Sequence, residues 1–405
     1  MMLPDDQLTV LLAVKDRPAF TMRWMAYAEA CALPFNVFVA DGGTGDRVET
    51  LLKDRARFRR VAYDYVRYPP DRSYTADYWA KIADALSRIE TPLVALADDD
   101  DLFVVNGVRR AAEFLLAHDD YASCGGQCAV FWVTDPIEGD AGVYGRRVQW
   151  KCSRDTRSLD GGTARERIRR HSLRATHPVY YHVRRTADLR RHVAALRAAN
   201  LSDPFLIERL LFFLTASAGR IRQLDCVYIA RQWNAPGSAG LAHQARHGDW
   251  LDRMLVPTWS RDFEQFVQVA AAALAERDGL PTGEAARAVV ELYRLWAAPQ
   301  LLGDILTEPT IAAGMPLRLA LAQRLLSRPA ASVVRRAARL IYRAVPWISV
   351  DLVHGLGWKA RPVAGAAAAL KPIHDFLSST CTTSPAATRT APSPSSVPAD
   401  TSALL

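Results

Sequence analysis

Leu93-Val94-Ala95-Leu96-Ala97-Asp98-Asp99-Asp100-Asp101 sets an unbroken apolar run directly against four carboxylates. A short continuous apolar segment is the mark of a strand buried on both faces, and the spacing predicts a strand over residues 92–97. Four adjacent aspartates repel one another, which disfavours the fully ionised set unless a positive charge is near. Oxygen-only ligands at a strand end suit Mg²⁺ or Mn²⁺, which bind through a few carboxylates together with substrate phosphates. In extended backbone, residues i and i+2 point to the same side, so Asp98 and Asp100 would face a ligand together. The alternative is a solvated acidic loop that caps the next helix, since Asp favours helix N-termini.

Working outward, the first hundred residues alternate between strand and helix patterns. Residues 8–14 (LTVLLAV) form a second apolar run and stop at Lys15-Asp16-Arg17-Pro18. Residues 35–40 (FNVFVA) form a third and stop at Asp41-Gly42-Gly43. Helical spacing covers residues 20–31, 48–58 and 74–89, with a further strand expected at 60–66. Such alternation implies an α/β protein with a mostly parallel sheet, whose ligands bind beyond the carboxyl ends of the strands. The charged strand ends at 15–17, 41 and 98–101 should therefore meet in one crevice. Further on, a helix is expected at 108–117, strands at 128–133, 143–150, 179–183 and 221–229, and a basic loop and helix across 154–174. A strong helix is expected from Asp203, with Ser202 or Asp203 as its cap and Pro204 in its first turn. Residues 243–302 read as helical.

These segments resemble glycosyltransferase family 2. Leu93–Asp101 followed by Leu102-Phe103 resembles the family's strand and D-x-D-D segment. Val10–Arg17 (VLLAVKDR) resembles its first strand, without the usual Pro-Thr, and Val39–Thr44 (VADGGT) resembles its second-strand Asp-Gly-Ser turn. Lys81 falls close to where the family often carries an Arg facing the donor. The resemblance covers about residues 8–120. It implies a GT-A fold, a Rossmann-like nucleotide-binding sheet, here with a C-terminal helical region and tail. It implies a glycosyltransferase that moves a sugar, with inversion, from a nucleoside-diphosphate-sugar donor to a glycan or lipid-linked acceptor, with Mg²⁺ or Mn²⁺ as cofactor. Carried over residue by residue, Asp98, Asp100 and Asp101 would hold the metal. Asp16, Arg17, Asp41, Lys81, Asp98, Asp99 and Arg231 would contact the donor, Asp41 through the base or ribose. Each of Asp16, Arg17 and Lys81 also has a plain reading, as a turn, a surface charge or a solvated helix face.

Inverting transfer needs a general base for the acceptor hydroxyl. The family places a carboxylate after the acidic run, near the start of a helix. Asp203 opens such a helix and is the expected base, with Glu208 as its competitor; Asp203 is explained equally well as a cap. Arg231-Gln232-Trp233 follows the last strand, where Arg could bind diphosphate and Trp could stack on a sugar face, or the pair could simply close the strand. His177 and His182 read as structural. A nucleotidyltransferase on the same sheet would carry a Gly-rich loop after its first strand, and Lys15-Asp16-Arg17-Pro18 stands there instead. A non-catalytic glycan- or membrane-binding protein on this fold is the third reading.

Composition bounds these readings. The 405 residues are enough for one catalytic domain, expected at 1–235, an accessory helical region at 236–327, a basic helical segment at 328–377 and a disordered Ser/Thr/Pro/Ala tail at 378–405. Net charge is +8, concentrated between Arg146 and Arg197, where 15 Lys/Arg face 4 Asp/Glu. Such a surface attracts phosphates or an anionic membrane, though high Arg can also be a matter of composition alone. In the segment 332–345, Arg335, Arg339 and Arg343 share one helical face, which either adsorbs to anionic lipid or packs with its charges in water. Without interleaved aromatics the basic residues do not read as a nucleic-acid surface. The start is polar and acidic rather than a leader, no run is long enough to span a bilayer, and the six cysteines are unpatterned. Together these lead to the expectation of a reduced, cytoplasmic protein with peripheral contact at the inner face of a membrane. Cys124 and Cys128 lack a second metal-spaced pair and read as small core thiols.

Overall fold

Strand β1 (Leu8–Val14) is the spine of the molecule, and in the computed structural model all but Ala13 of its side chains are buried. The structure describes residues 4–73, 75–136, 142–152, 157–173, 179–238, 250–307, 349–351, 357–359 and 363–379. β2 (Asn36–Asp41) and β4 (Leu93–Asp98) flank β1, both parallel to it, and β3 (Tyr63–Arg67) continues parallel beyond β2. The connecting helices are α1 (Pro18–Ala30), α2 (Arg47–Lys53) and α3 (Ala76–Arg88). The mixed α/β class expected from the alternation, a largely parallel central sheet flanked by helices, is the one observed.

The full sheet has nine strands, ordered β3-β2-β1-β4-β8-β6-β9-β5, with β5 (Asp101–Phe103) at one edge and β7 (Gly145–Cys152) on β6. β8 (Val183–Arg185) runs antiparallel to β4 and β6, while β6 (Tyr121–Pro136) and β9 (Arg220–Gln232) are parallel. The chain leaves β1 toward β2 on one side and returns to β4 on the other, so the strand order reverses between β1 and β4. Open α/β sheets bind ligands at this kind of switch point, outside the carboxyl ends of the strands. The register fixes which residues stand there: Val14 lies opposite Asp41, and Ala13 opposite Asp98.

Three elements differ from the sequence expectation. Residues 179–183 form a 3₁₀ turn (Val179–Tyr181) before β8 starts at Val183. The buried Arg184 guanidinium donates to the carbonyls of Val179 and Tyr180, which holds the backbone in the turn. β6 is much longer than residues 128–133, because Gly125 and Gly126 let it pass close to its neighbours. A Cβ on Gly126 would lie 2.6 Å from the Cys226 carbonyl oxygen, and one on Gly125 would lie 2.3 Å from the His182 ring. The Arg-rich stretch after β8 forms α6 (Thr186–Ala199), which the sequence reading passes over; its Leu189, Val193 and Leu196 are buried.

The helical region after β9 is not set apart from the sheet. Helices α9 (Trp259–Asp278) and α10 (Thr282–Thr307) follow the short α8 (Trp250–Met254). Phe266, Leu274, Leu292 and Tyr293 share one core with Leu206, Leu210 and Phe213 of α7 (Pro204–Ala218). α11 (Ala366–Ser379) closes the other side, where Leu370, Ile373 and Leu377 join the core that holds Tyr27. The expected basic helix at 332–345, His177 and the tail from 380 onward lie outside the described residues. Among the described residues no helix is long and apolar enough to cross a membrane.

Candidate functional site

The four aspartates sit where β4 ends and the three-residue β5 (Asp101–Phe103) begins. The side chains of Asp98, Asp100 and Asp101 each present one carboxylate oxygen within 4.8 Å of the other two. Adjacent ligands of an octahedral Mg²⁺ are about 3 Å apart and opposite ones about 4.2 Å, so the three oxygens would close in on a shared ion. Asp99 takes a different direction. Its carboxylate meets Arg17 Nη1 at 3.2 Å and accepts from Thr21 Oγ1 at 3.3 Å. Alternation groups Asp98 with Asp100, and the family resemblance adds Asp101; all three meet here, Asp101 standing on β5 where it pairs with β9.

Two arginines divide the cluster. Arg17 donates through Nη1 and Nη2 to Asp100 Oδ2, both at 3.1 Å. Arg231, opposite Asp101 in the β5–β9 register, donates from Nε to Asp101 Oδ2 at 2.8 Å and from Nη2 to Tyr181 Oη at 2.9 Å. Tyr181 Oη in turn donates to Asp98 Oδ2 at 2.7 Å. Arg23, fully inside, donates to the Asp100 carbonyl at 2.9 Å and to Gln232 Oε1 at 2.6 Å. Carboxylates still outnumber the guanidiniums paired with them. Burial therefore pushes Asp98 up to about 6, with the Asp100 charge adding to it, and pushes Asp99 and Asp101 up to about 7. A divalent cation would supply the missing positive charge and bring these groups back to their ionised form.

The other strand ends meet the cluster as expected, but several of their residues are engaged in holding the crevice together. Asp41 is 1% exposed; Oδ1 accepts from the Gly43 N–H and Oδ2 from Tyr65 Oη, each at 2.8 Å. Asp16 adopts a left-handed backbone (φ 50°), which Asp tolerates better than most residues. Its Oδ1 accepts from Thr44 N at 2.6 Å and Thr44 Oγ1 at 2.9 Å, tying the loop after β1 to the loop after β2. Lys81 is not on a solvated helix face. Its ammonium is buried, 2.5 Å from Asp71 Oδ2 and 3.1 Å from the Val14 carbonyl. Asp71 also accepts at its carbonyl from Lys15 Nζ, and its own N–H donates to the Gly42 carbonyl at 2.8 Å. Asp71 and Tyr181 are the residues sequence reasoning missed. Pro70-Asp71-Arg72 reads as an ordinary turn, and nothing local says that a turn aspartate will be buried against a lysine ten residues on.

Asp203 is the cap of α7: its Oδ1 accepts from Phe205 N and Leu206 N at 2.8 and 2.9 Å. Glu208 lies on the next turn of α7 and is exposed at the mouth of a cleft. The crowded walls push its pKa up, opposed by Arg231, Arg209 and Arg253, and its charge bears on Asp98. Glu208 thus lies near enough to the acidic cluster for its charge to raise Asp98. Trp233 is 66% exposed beside Arg231. His182 packs between Gly125 and Tyr228, inside the sheet.

No protein-family model matches the chain, and no curated protein matches it. Among solved structures it is similar to S. aureus TarS 1-349, at 14% identity over 78% of this chain and 83% of that one, with a TM-score of 0.42. The same values hold for TarS 1-349 in complex with UDP-GlcNAc. A mannosyltransferase from Pyrobaculum calidifontis, PcManGT in complex with GDP-Man and Mn²⁺, is similar at 15% identity over 84% of this chain and 86% of that one, with a TM-score of 0.41. Likeness of this degree does not extend to substrate or mechanism.

Proposed function

We propose that the chain is a GT-A-type glycosyltransferase that transfers a sugar from a nucleoside-diphosphate donor to a hydroxyl of a glycan or lipid-linked acceptor. The observation that supports it is the convergence of Asp98, Asp100 and Asp101 at the switch point of the sheet. Asp98, Asp100 and Asp101 would hold Mg²⁺ or Mn²⁺, which neutralises charge developing on the departing nucleoside diphosphate.

The chain's own residues do the rest. Arg231, anchored on Asp101, stands ready to meet a diphosphate oxygen. The loops of Asp16 and Asp41, locked by Thr44, Gly43 and Tyr65, form the nucleoside end of the crevice. Arg17 holds Asp99 and Asp100 in place behind the ligand-facing oxygens. Lys81 acts as a positioning residue through Asp71 and Val14 rather than as a donor contact. Glu208 is the better general base than Asp203. Its carboxylate is open to the cleft and its pKa is raised, which makes it the stronger base, whereas Asp203 is engaged as the helix cap. A base on the acceptor side, with the metal on the donor side, fits a single displacement with inversion.

Calorimetric titration of a sugar-nucleotide panel with Mn²⁺ or Mg²⁺ present tests this. One donor is expected to bind only with metal, and Asp100→Ala is expected to abolish that dependence. Metal-dependent binding unchanged in Asp100→Ala would remove the site assignment.

A further inference from the structure

Beyond the acidic cluster, Glu208 borders a cavity of about 100 Å³ between α7, the Val179–Tyr181 turn and α10. Two guanidiniums line it. Arg184 is 1% exposed; its Nη1 donates to the Tyr180 carbonyl at 3.2 Å and its Nη2 to the Val179 carbonyl, while Nε has no partner. Arg209 lies 3.7 Å over the Trp296 ring and meets His171 Nδ1 at 3.3 Å, and its buried Nε also has no partner. The one acidic residue in the lining is Glu208. Among the described residues neither arginine forms an ion pair with a carboxylate. Uncompensated buried charge is costly, and arginine is suited to bidentate recognition of planar or tetrahedral oxyanions. Burial lowers Arg209 to about 9 and Arg184 to about 10, the direction expected of cations short of counter-charge.

We propose that this cavity is the acceptor subsite and that it selects an acceptor carrying an anionic group, phosphate or carboxylate, close to the hydroxyl that is glycosylated. Arg209 makes the direct contact, Arg184 supplies charge beneath it, and the Trp296 and Phe205 rings form the apolar walls. The volume holds about three waters, the bulk of one tetrahedral oxyanion, so the anion enters while the sugar that bears it stays at the mouth beside Glu208. This rests on the reading of Glu208 as the base of a glycosyltransferase.

The test begins with inorganic phosphate titrated into the full chain at ionic strength held constant with potassium chloride, followed by calorimetry and thermal unfolding. Phosphate is expected to bind and raise the midpoint. Arg209→Gln should weaken it at least tenfold, while Arg209→Lys, which keeps the charge, stays closer to the unsubstituted protein and guards against misfolding as the cause. No binding above the chloride control, or equal binding in Arg209→Gln, overturns the proposal. So does a loss that appears only in Asp100→Ala, which would place the phosphate in the donor crevice. With the donor identified, phosphorylated, uronic-acid and neutral saccharides are compared as acceptors. At least a tenfold kcat/KM advantage for one charged class, collapsing in Arg209→Gln, supports the proposal and separates phosphate from carboxylate; equal use of neutral acceptors refutes it. Arg209-dependent phosphate binding without binding of any donor would overturn the glycosyltransferase reading and leave the anion site standing.

Discussion

Lys81→Met removes one charge from a buried pair while keeping most of the stem's length and apolar volume, so it isolates the electrostatic role of Lys81. The side chains of Lys81 and Asp71 are 2% and 3% exposed and their charged atoms are 2.5 Å apart. Removing one partner of such a pair costs about 3–5 kcal/mol, because the survivor is left charged and dry. Asp71 is poorly placed to recover, since its Oδ1 already lacks a partner. At about 2–4 °C per kcal/mol, the upper range for a unit this large, that cost lowers the unfolding midpoint by up to roughly 6–20 °C. The loss is capped by protonation. Burial raises the Asp71 pKa and the Lys81 charge holds it down, so the variant's Asp71 moves further up. A carboxyl raised in the folded state binds its proton more tightly there than in the unfolded chain. The deficit is therefore full above the folded pKa and shrinks as pH falls through it toward the ordinary carboxylate range. Thermal and urea unfolding of Lys81→Met across pH 4–8 measures this, with Lys81→Met/Asp71→Asn expected to regain at least half of the loss. A single variant within about 1 kcal/mol of the unsubstituted chain at neutral pH, or a double variant no better than the single, would refute the reasoning.

Two further perturbations follow from the same geometry. Glu208→Gln should cut kcat by about 10²–10⁴ with donor affinity retained; because a base acts deprotonated and burial raises Glu208, the acid limb of the rate profile should lie above the ordinary Glu value of 4.5 and vanish in the variant. Gly42→Ala should cost about 1–3 kcal/mol and weaken donor binding, since the new Cβ would lie 2.4 Å from the Asp71 carboxyl, which Lys81 holds in place; unfolding and calorimetry read both effects.

Much of the acidic crevice is written locally in the chain. The apolar runs that become β1, β2 and β4 are each closed by a charged residue, and period and punctuation suffice to place Asp16, Asp41 and Asp98–Asp101 at strand ends. Once the strands are parallel, their ends must share an edge, so the crevice follows from local pattern plus the rules of α/β topology. The N-cap of α7 is equally local: Asp203-Pro204 announces a helix start, and the cap hydrogen bonds observed are those the sequence implies.

What the tertiary structure alone decided is which side chains each of those residues is held by. The resemblance groups Asp98, Asp100 and Asp101, but that Arg231 is the partner of Asp101 is set by β9, more than a hundred residues later in the chain. Lys81 reads as a donor contact or a solvated helix face until Asp71 is brought against it, and α6, passed over in the sequence, is defined by the core that its Leu189, Val193 and Leu196 join. The sequence favours Asp203, which opens the helix, over Glu208; packing engages Asp203 as the helix cap and leaves Glu208 exposed at the mouth of the cleft. Local sequence carries backbone preference and hydrophobic period. The identity of a charge's partner depends on contacts between distant segments, and these exist only once the sheet has closed.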